Sequence, residues 1–151
     1  MKLLKMKSST NSKLNEISPG ASVYVDSNIF IYDATGHARY STACKDFLKR
    51  IEKGELHGIT SAITLSEVLQ KLILIEVGER ENIEIGQALR RIKQKPEILA
   101  SLDKPIEAIN KIEKIRSLKI VPLTNEIAAS AKEYVKSAYL MSIDAVHAAT
   151  M

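Results

Sequence analysis

The stretch Ser22-Val23-Tyr24-Val25-Asp26-Ser27-Asn28-Ile29-Phe30-Ile31-Tyr32 constrains this chain more than any other. Its first residues are β-branched and aromatic, the composition of a short buried strand. Asp26, Ser27 and Asn28 end that run, and a second apolar run begins at Ile29. A buried strand that passes straight into a helix starts a βα unit. An acid at the carboxyl end of such a strand stands where open α/β sheets place their chemistry. The competing reading is a helix cap, because Asp, Ser and Asn all cap helices well.

The same alternation continues downstream. Tyr40 to Glu52 reads as a helix with Ala43, Phe47, Leu48 and Ile51 on one side. His57 to Ser61 is a second strand, and Ala62 to Val77 a helix on which Glu67 follows Ile63 by one turn. Glu79 to Lys95 is charged and amphipathic until Pro96 interrupts it, and Ile106 to Arg116 is another helix. Leu118 to Leu123 is a third strand, stopped near Pro122. Thr124 caps a helix over Asn125 to Ser137, and Ser142 caps a last one with Asp144 in its first turn. This order predicts a three-layer α/β/α fold with a central parallel sheet. A sheet of three readable strands leaves both edges open. The chain also reaches Met151 without a closing strand, so the expectation is a domain truncated at its C-terminus. Residues 1–20 are polar and end in Pro19-Gly20; they read as a flexible leader, or alternatively as a short helix used by a partner. Residues 21–151 then form the single domain.

At 151 residues the chain can bury one substantial core, and with aromatics at 5% and no Trp that core must be aliphatic. A net charge of +4 is compatible with a polyanionic partner but does not specify one. Cys44 is the sole cysteine, which excludes an intrachain disulfide and suits a cytoplasmic protein. No secretory signal and no stretch of membrane-spanning length can be read. The histidines, His37, His57 and His147, form neither a HExxH motif nor a cluster with cysteine, which argues against zinc. His147 follows Asp144 by three residues and could face it, though it reads first as a surface or core histidine; Cys44 reads as a core residue. No glycine-rich phosphate loop and no GxSxG elbow is present.

Asp26, Glu67 and Asp144 lie in different elements, each among apolar neighbours. Each has an ordinary explanation: a cap for Asp26, an ion pair with Lys71 one turn on for Glu67, and a favourable helix dipole for Asp144. Burying a lone carboxylate costs several kcal/mol, roughly, unless something pairs with it. A shared Mg²⁺ or Mn²⁺ accounts for all three together, because hard divalent ions take carboxylate oxygens.

The segment Val23-Tyr24-Val25-Asp26-Ser27-Asn28-Ile29-Phe30 resembles the opening motif of the PIN-domain ribonucleases, the family of the VapC toxins. Thr60-Ser61-Ala62-Ile63-Thr64-Leu65-Ser66-Glu67-Val68-Leu69 resembles their second motif, and Ile143-Asp144-Ala145-Val146-His147-Ala148-Ala149-Thr150 their third. Order and spacing match as well, over about Ser22 to Met151. The resemblance implies a metal-dependent endonuclease acting on single-stranded RNA, the toxin of a toxin–antitoxin pair. An antitoxin protein partner and a homodimer are implied with it. By position, Asp26, Glu67 and Asp144 match the family's first three metal-site acids, Ser27 its small hydroxyl residue, and Asn28 a residue that braces the turn. The chain departs from the pattern at its end, where the family continues into a further strand and a fourth acidic position. A neighbouring chain could supply that strand. Arg39, Arg50 and Arg90 are candidates for holding the RNA backbone. Two rival readings remain: a catalytically inactive module that binds a protein or RNA, and a phosphoryl-transfer enzyme of the haloacid-dehalogenase type. The second would want an Asp where Asn28 stands.

Overall fold

The structure is a computed structural model and describes residues 2–3 and 14–151. Strands β1 (Lys2–Leu3), β2 (Ser22–Tyr24), β3 (His57–Ser61) and β4 (Leu118–Val121) form one parallel sheet in the order β1-β2-β3-β4. Tyr24 stands opposite Ile59, and Gly58 opposite Leu118. The connections are helical: α1 (Ser27–Thr35) and α2 (Ser41–Glu52) between β2 and β3, then α3 (Ala62–Glu81), α4 (Ile85–Gln94), a 3-10 segment (Pro96–Ser101) and α5 (Lys104–Glu113) between β3 and β4. After β4 come α6 (Asn125–Ala138) and α7 (Ser142–Thr150). The mixed α/β fold around a parallel sheet is thus the one the sequence predicts.

Three details differ from the sequence reading. Lys2–Leu3, inside the stretch that reads as a leader, pairs with Val23 and Tyr24 as a fourth, edge strand. Leu14 from the same stretch is fully buried, and the Arg50 guanidinium fastens its end by donating to the carbonyls of Leu14 at 3.0 Å and Ile17 at 2.5 Å. Residues 4–13, most of that leader, lie outside the described residues. Helix α3 also runs past Gly78 to Glu81, because Val77 is buried in a small second core with Ala88, Ile98 and Leu102. That packing outweighs the glycine's helix penalty of about 1 kcal/mol. Finally, Met141, not Ser142, holds the cap position of α7.

Strand alternation sorts the side chains of β2. Val23 and Val25 join the main core with Ile29, Phe47, Ile51 and Val68. Tyr24, between them, must point to the opposite face. There it is 1% exposed and its hydroxyl meets His147 of α7. Helices therefore cover both faces of the sheet, α1 and α2 on one and α7 on the other.

Candidate active site

Asp26 follows β2 at the cap position of α1, with extended backbone (φ −80°, ψ 158°). Its side chain makes no capping hydrogen bond, so the cap reading does not account for it. Instead Asn28 Nδ2 donates to Asp26 Oδ2 at 3.4 Å, which braces the turn. Ser27, the first residue of α1, is buried. Asp144 lies in the first turn of α7. The two acids line one cavity of about 50 Å³, together with Tyr24, Leu140, His147 and Ala148. Chain reversal at Tyr139, which takes the left-handed conformation (φ 55°), returns α7 against α6 and sets Asp144 there.

Glu67 does not line this cavity. Its half-buried side chain leaves α3 and its Oε2 lies 3.0 Å from His147 Nε2. The partner is thus a residue 80 positions away rather than Lys71 one turn on. The other ring nitrogen, Nδ1, is 2.7 Å from the Tyr24 hydroxyl. That hydroxyl donates to Ser61 Oγ at 3.0 Å and is 3.2 Å from Thr64 Oγ1. Ser61 caps α3 by accepting from the Thr64 backbone N–H at 3.2 Å. A continuous hydrogen-bonded chain therefore runs from the start of α3 through the central strand and α7 back to Glu67. His147, at 7% exposure, is the core histidine that one of the sequence readings expects, and it is the hub of this chain. Its i+3 spacing from Asp144, legible in the sequence, puts both on one helical face; its bonds to Glu67 and Tyr24 are not legible there.

Burial pushes the Tyr24 phenol above its ordinary value. The bonds to Ser61 and Thr64 pull the other way, and the charges of Asp26 and Glu67 push it up again. Two of the three acids thus act on one phenol, which keeps its proton and its role as a neutral link.

Among the described residues no three His, Cys, Asp or Glu side chains gather as a group that could hold a metal. The cavity nevertheless offers two carboxylates, Asp26 and Asp144. Hard oxygen donors of this kind fit Mg²⁺ or Mn²⁺, and Mg²⁺ commonly takes one or two carboxylates and completes its shell with water and phosphate oxygens. The donor chemistry therefore fits such an ion at Asp26 and Asp144, with Glu67 one hydrogen bond removed through His147.

Of the arginines considered for RNA, Arg50 is committed to Leu14, Ile17 and, at 3.4 Å, Glu55. It is a fastener of the fold. Arg39 stands over the Tyr40 ring at 5.3 Å, and Arg90 is exposed on α4. No helix is long and apolar enough to cross a membrane among the described residues.

An acid at the end of a central parallel strand, joined by a second acid from a later helix, defines an α/β protein with its chemistry at the carboxyl ends of the strands. A family model, the PIN domain, matches residues 23–151, and the chain belongs to the PIN domain family. Proteins of this family are generally nucleases and generally use divalent metal ions. No curated protein and no solved structure matches the chain.

Proposed function

We propose that this chain is an endoribonuclease that hydrolyses phosphodiester bonds of single-stranded RNA with Mg²⁺ or Mn²⁺. The observation that carries the reading is the shared cavity of Asp26 and Asp144, two acids 118 positions apart in sequence (144 − 26) that meet at the end of β2. Asp26 and Asp144 would hold the ion, and Glu67 would complete the set. Asn28 keeps Asp26 turned toward the cavity, and the Tyr24 ring, from β2, lines its wall. A divalent cation supplies positive charge that offsets the charge building on the phosphate, and it eases ionisation of the attacking water. Exposed lysines and arginines, Arg39 and Arg90 among them, would hold the RNA backbone.

The test uses fluorescent single-stranded RNA with Mn²⁺ and then with EDTA. The native chain is expected to cleave in a chelator-sensitive way, and Asp26→Asn to lose that cleavage while keeping its circular dichroism spectrum. Undiminished cleavage by a clean Asp26→Asn preparation would remove Asp26 from the mechanism. The ungathered state of the three acids favours a second reading, a catalytically inactive module that binds RNA or a protein. No chelator-sensitive cleavage at high protein concentration would establish it over the first.

By likeness to the VapC toxins we place the chain in a toxin–antitoxin pair, with an antitoxin protein as partner and a homodimer as its working form. A sole, buried cysteine, Cys44, suits a cytoplasmic setting. Sedimentation equilibrium reads the dimer directly, with twice the chain mass of 16.7 kDa as the expected result.

A further inference from the structure

We propose that His147, braced by Tyr24, is the positioning residue that holds the Glu67 carboxylate beside the Asp26–Asp144 cavity, so that a cation held there by the two aspartates has a third acid next to it. This rests on the nuclease reading and deepens it. Three elements have to agree for the acids to act together: the end of β2, helix α3 and helix α7. Helix α7 packs chiefly against α6, so its placement relative to α3 depends on what crosses between them. His147 makes that crossing, with one nitrogen on β2 and the other on α3.

The surroundings single out an imidazole. A residue that merely filled the space could be Leu or Met. His147 is instead buried with both ring nitrogens engaged, at 2.7 Å and 3.0 Å, so its ring cannot turn without losing both bonds. Tyr24 is fixed in turn by Ser61 and Thr64, whose own hydroxyls lie 3.0 Å apart. Tyr24 and His147 also line the cavity of Asp26 and Asp144. The positioning pair therefore touches Glu67 on one side and the other two acids' cavity on the other. A carboxylate has about four acceptor positions, so Glu67 can take the His147 bond at Oε2 and still present lone pairs to a cation. Groups behind metal ligands act in this way, and their loss typically weakens metal affinity about 10–100-fold.

The experiment measures Mn²⁺ binding by the full chain without RNA, from the electron paramagnetic resonance signal of the free ion. His147→Ala is expected to weaken Mn²⁺ binding about 10–100-fold. His147→Gln, whose amide can still donate toward Glu67, is expected to recover most of the affinity. Tyr24→Phe should weaken binding in the native background and do nothing further in His147→Ala. In a Glu67→Gln background, His147→Ala should likewise have no further effect. Native-like affinity in His147→Ala, or an equal loss with Glu67→Gln already in place, would overturn the proposal. If His147→Ala does not fold, Tyr24→Phe carries the same test, and native-like binding by Tyr24→Phe overturns it. A native chain that binds no Mn²⁺ overturns the nuclease reading itself. Loss of binding in Asp26→Asn but in neither His147→Ala nor Tyr24→Phe overturns the positioning role alone.

Discussion

Cys44 lies fully buried on α2, and burial, followed by the nearby charge of Asp33, pushes its thiol up to about 11. The nucleophile in thiol chemistry is the thiolate, so this cysteine should be inert in the native chain. At pH 8 a thiol reagent is expected to label native protein far more slowly than protein in denaturant; equal rates would mean that Cys44 is not buried in solution. Stability carries the same information. In the unfolded chain the thiol ionises near 9.0, while the folded chain keeps the proton to about 11. Above pH 9 the unfolded state therefore binds fewer protons, and stability falls as pH rises, by at most about 1.4 kcal/mol per pH unit. Urea midpoints between pH 8 and pH 10 should show this fall in the native chain and a shallower one in Cys44→Ala. Asp26 gives the complementary lesson. A residue type that caps helices well sits at a cap position and does not cap; its bond from Asn28 and its place in the cavity account for it instead.

At the scale of elements, the close approach of α2 to the sheet depends on Gly58. A Cβ there would lie 2.8 Å from Leu118 Cδ1 and 2.9 Å from Ile51 Cγ2. Both neighbours are core side chains, Ile51 with no exposure, so there is little room to yield. Gly58→Ala is expected to cost about 1–3 kcal/mol, as overpacking in a filled core does. A denaturant midpoint unchanged from the native chain would show that the helix can move away at no cost. The long helix α3 is the other element whose limits come from packing. The glycine at position 78 suggests an end near Val77, yet a Cβ there would meet Ile83 O at 3.2 Å, where the chain folds back toward α4. The burial of Val77 carries the helix on, and the missing side chain at Gly78 leaves room for the turn that follows. By contrast the cap of α6 was legible. Thr124 accepts from the Ile127 N–H at 3.3 Å, as its type and place predict.

At the scale of the whole molecule, 22 lysines and arginines outnumber 18 acids. If Asp26, Glu67 and Asp144 are turned to a cation, the remaining surface is more basic than the net charge of +4 indicates. Binding of single-stranded RNA should then weaken linearly in log–log form as salt rises, with a slope of about −0.7 for each phosphate neutralised. Fluorescence anisotropy on the Asp26→Asn chain, which would bind without cleaving, gives that slope. An affinity indifferent to salt would exclude backbone contacts by these side chains.

Local composition settled much of this protein in advance. The strand–acid–helix start at Ser22 to Tyr32, the β3–α3 junction at Ser61, and the placing of Asp144 in a first helical turn all follow from periodicity and capping over a few residues. Those preferences act through neighbours in the chain, so the chain displays them. Other features depend on which distant element comes to lie overhead. The bond from His147 to Glu67, the commitment of Arg50 to Leu14 and Ile17, and the pairing of Lys2–Leu3 with β2 join residues from about 20 to 80 positions apart. A buried polar group must find its partner wherever packing puts one. That choice is made by the assembled fold, and it joined His147 of the last helix to Glu67 of α3 and Tyr24 of β2.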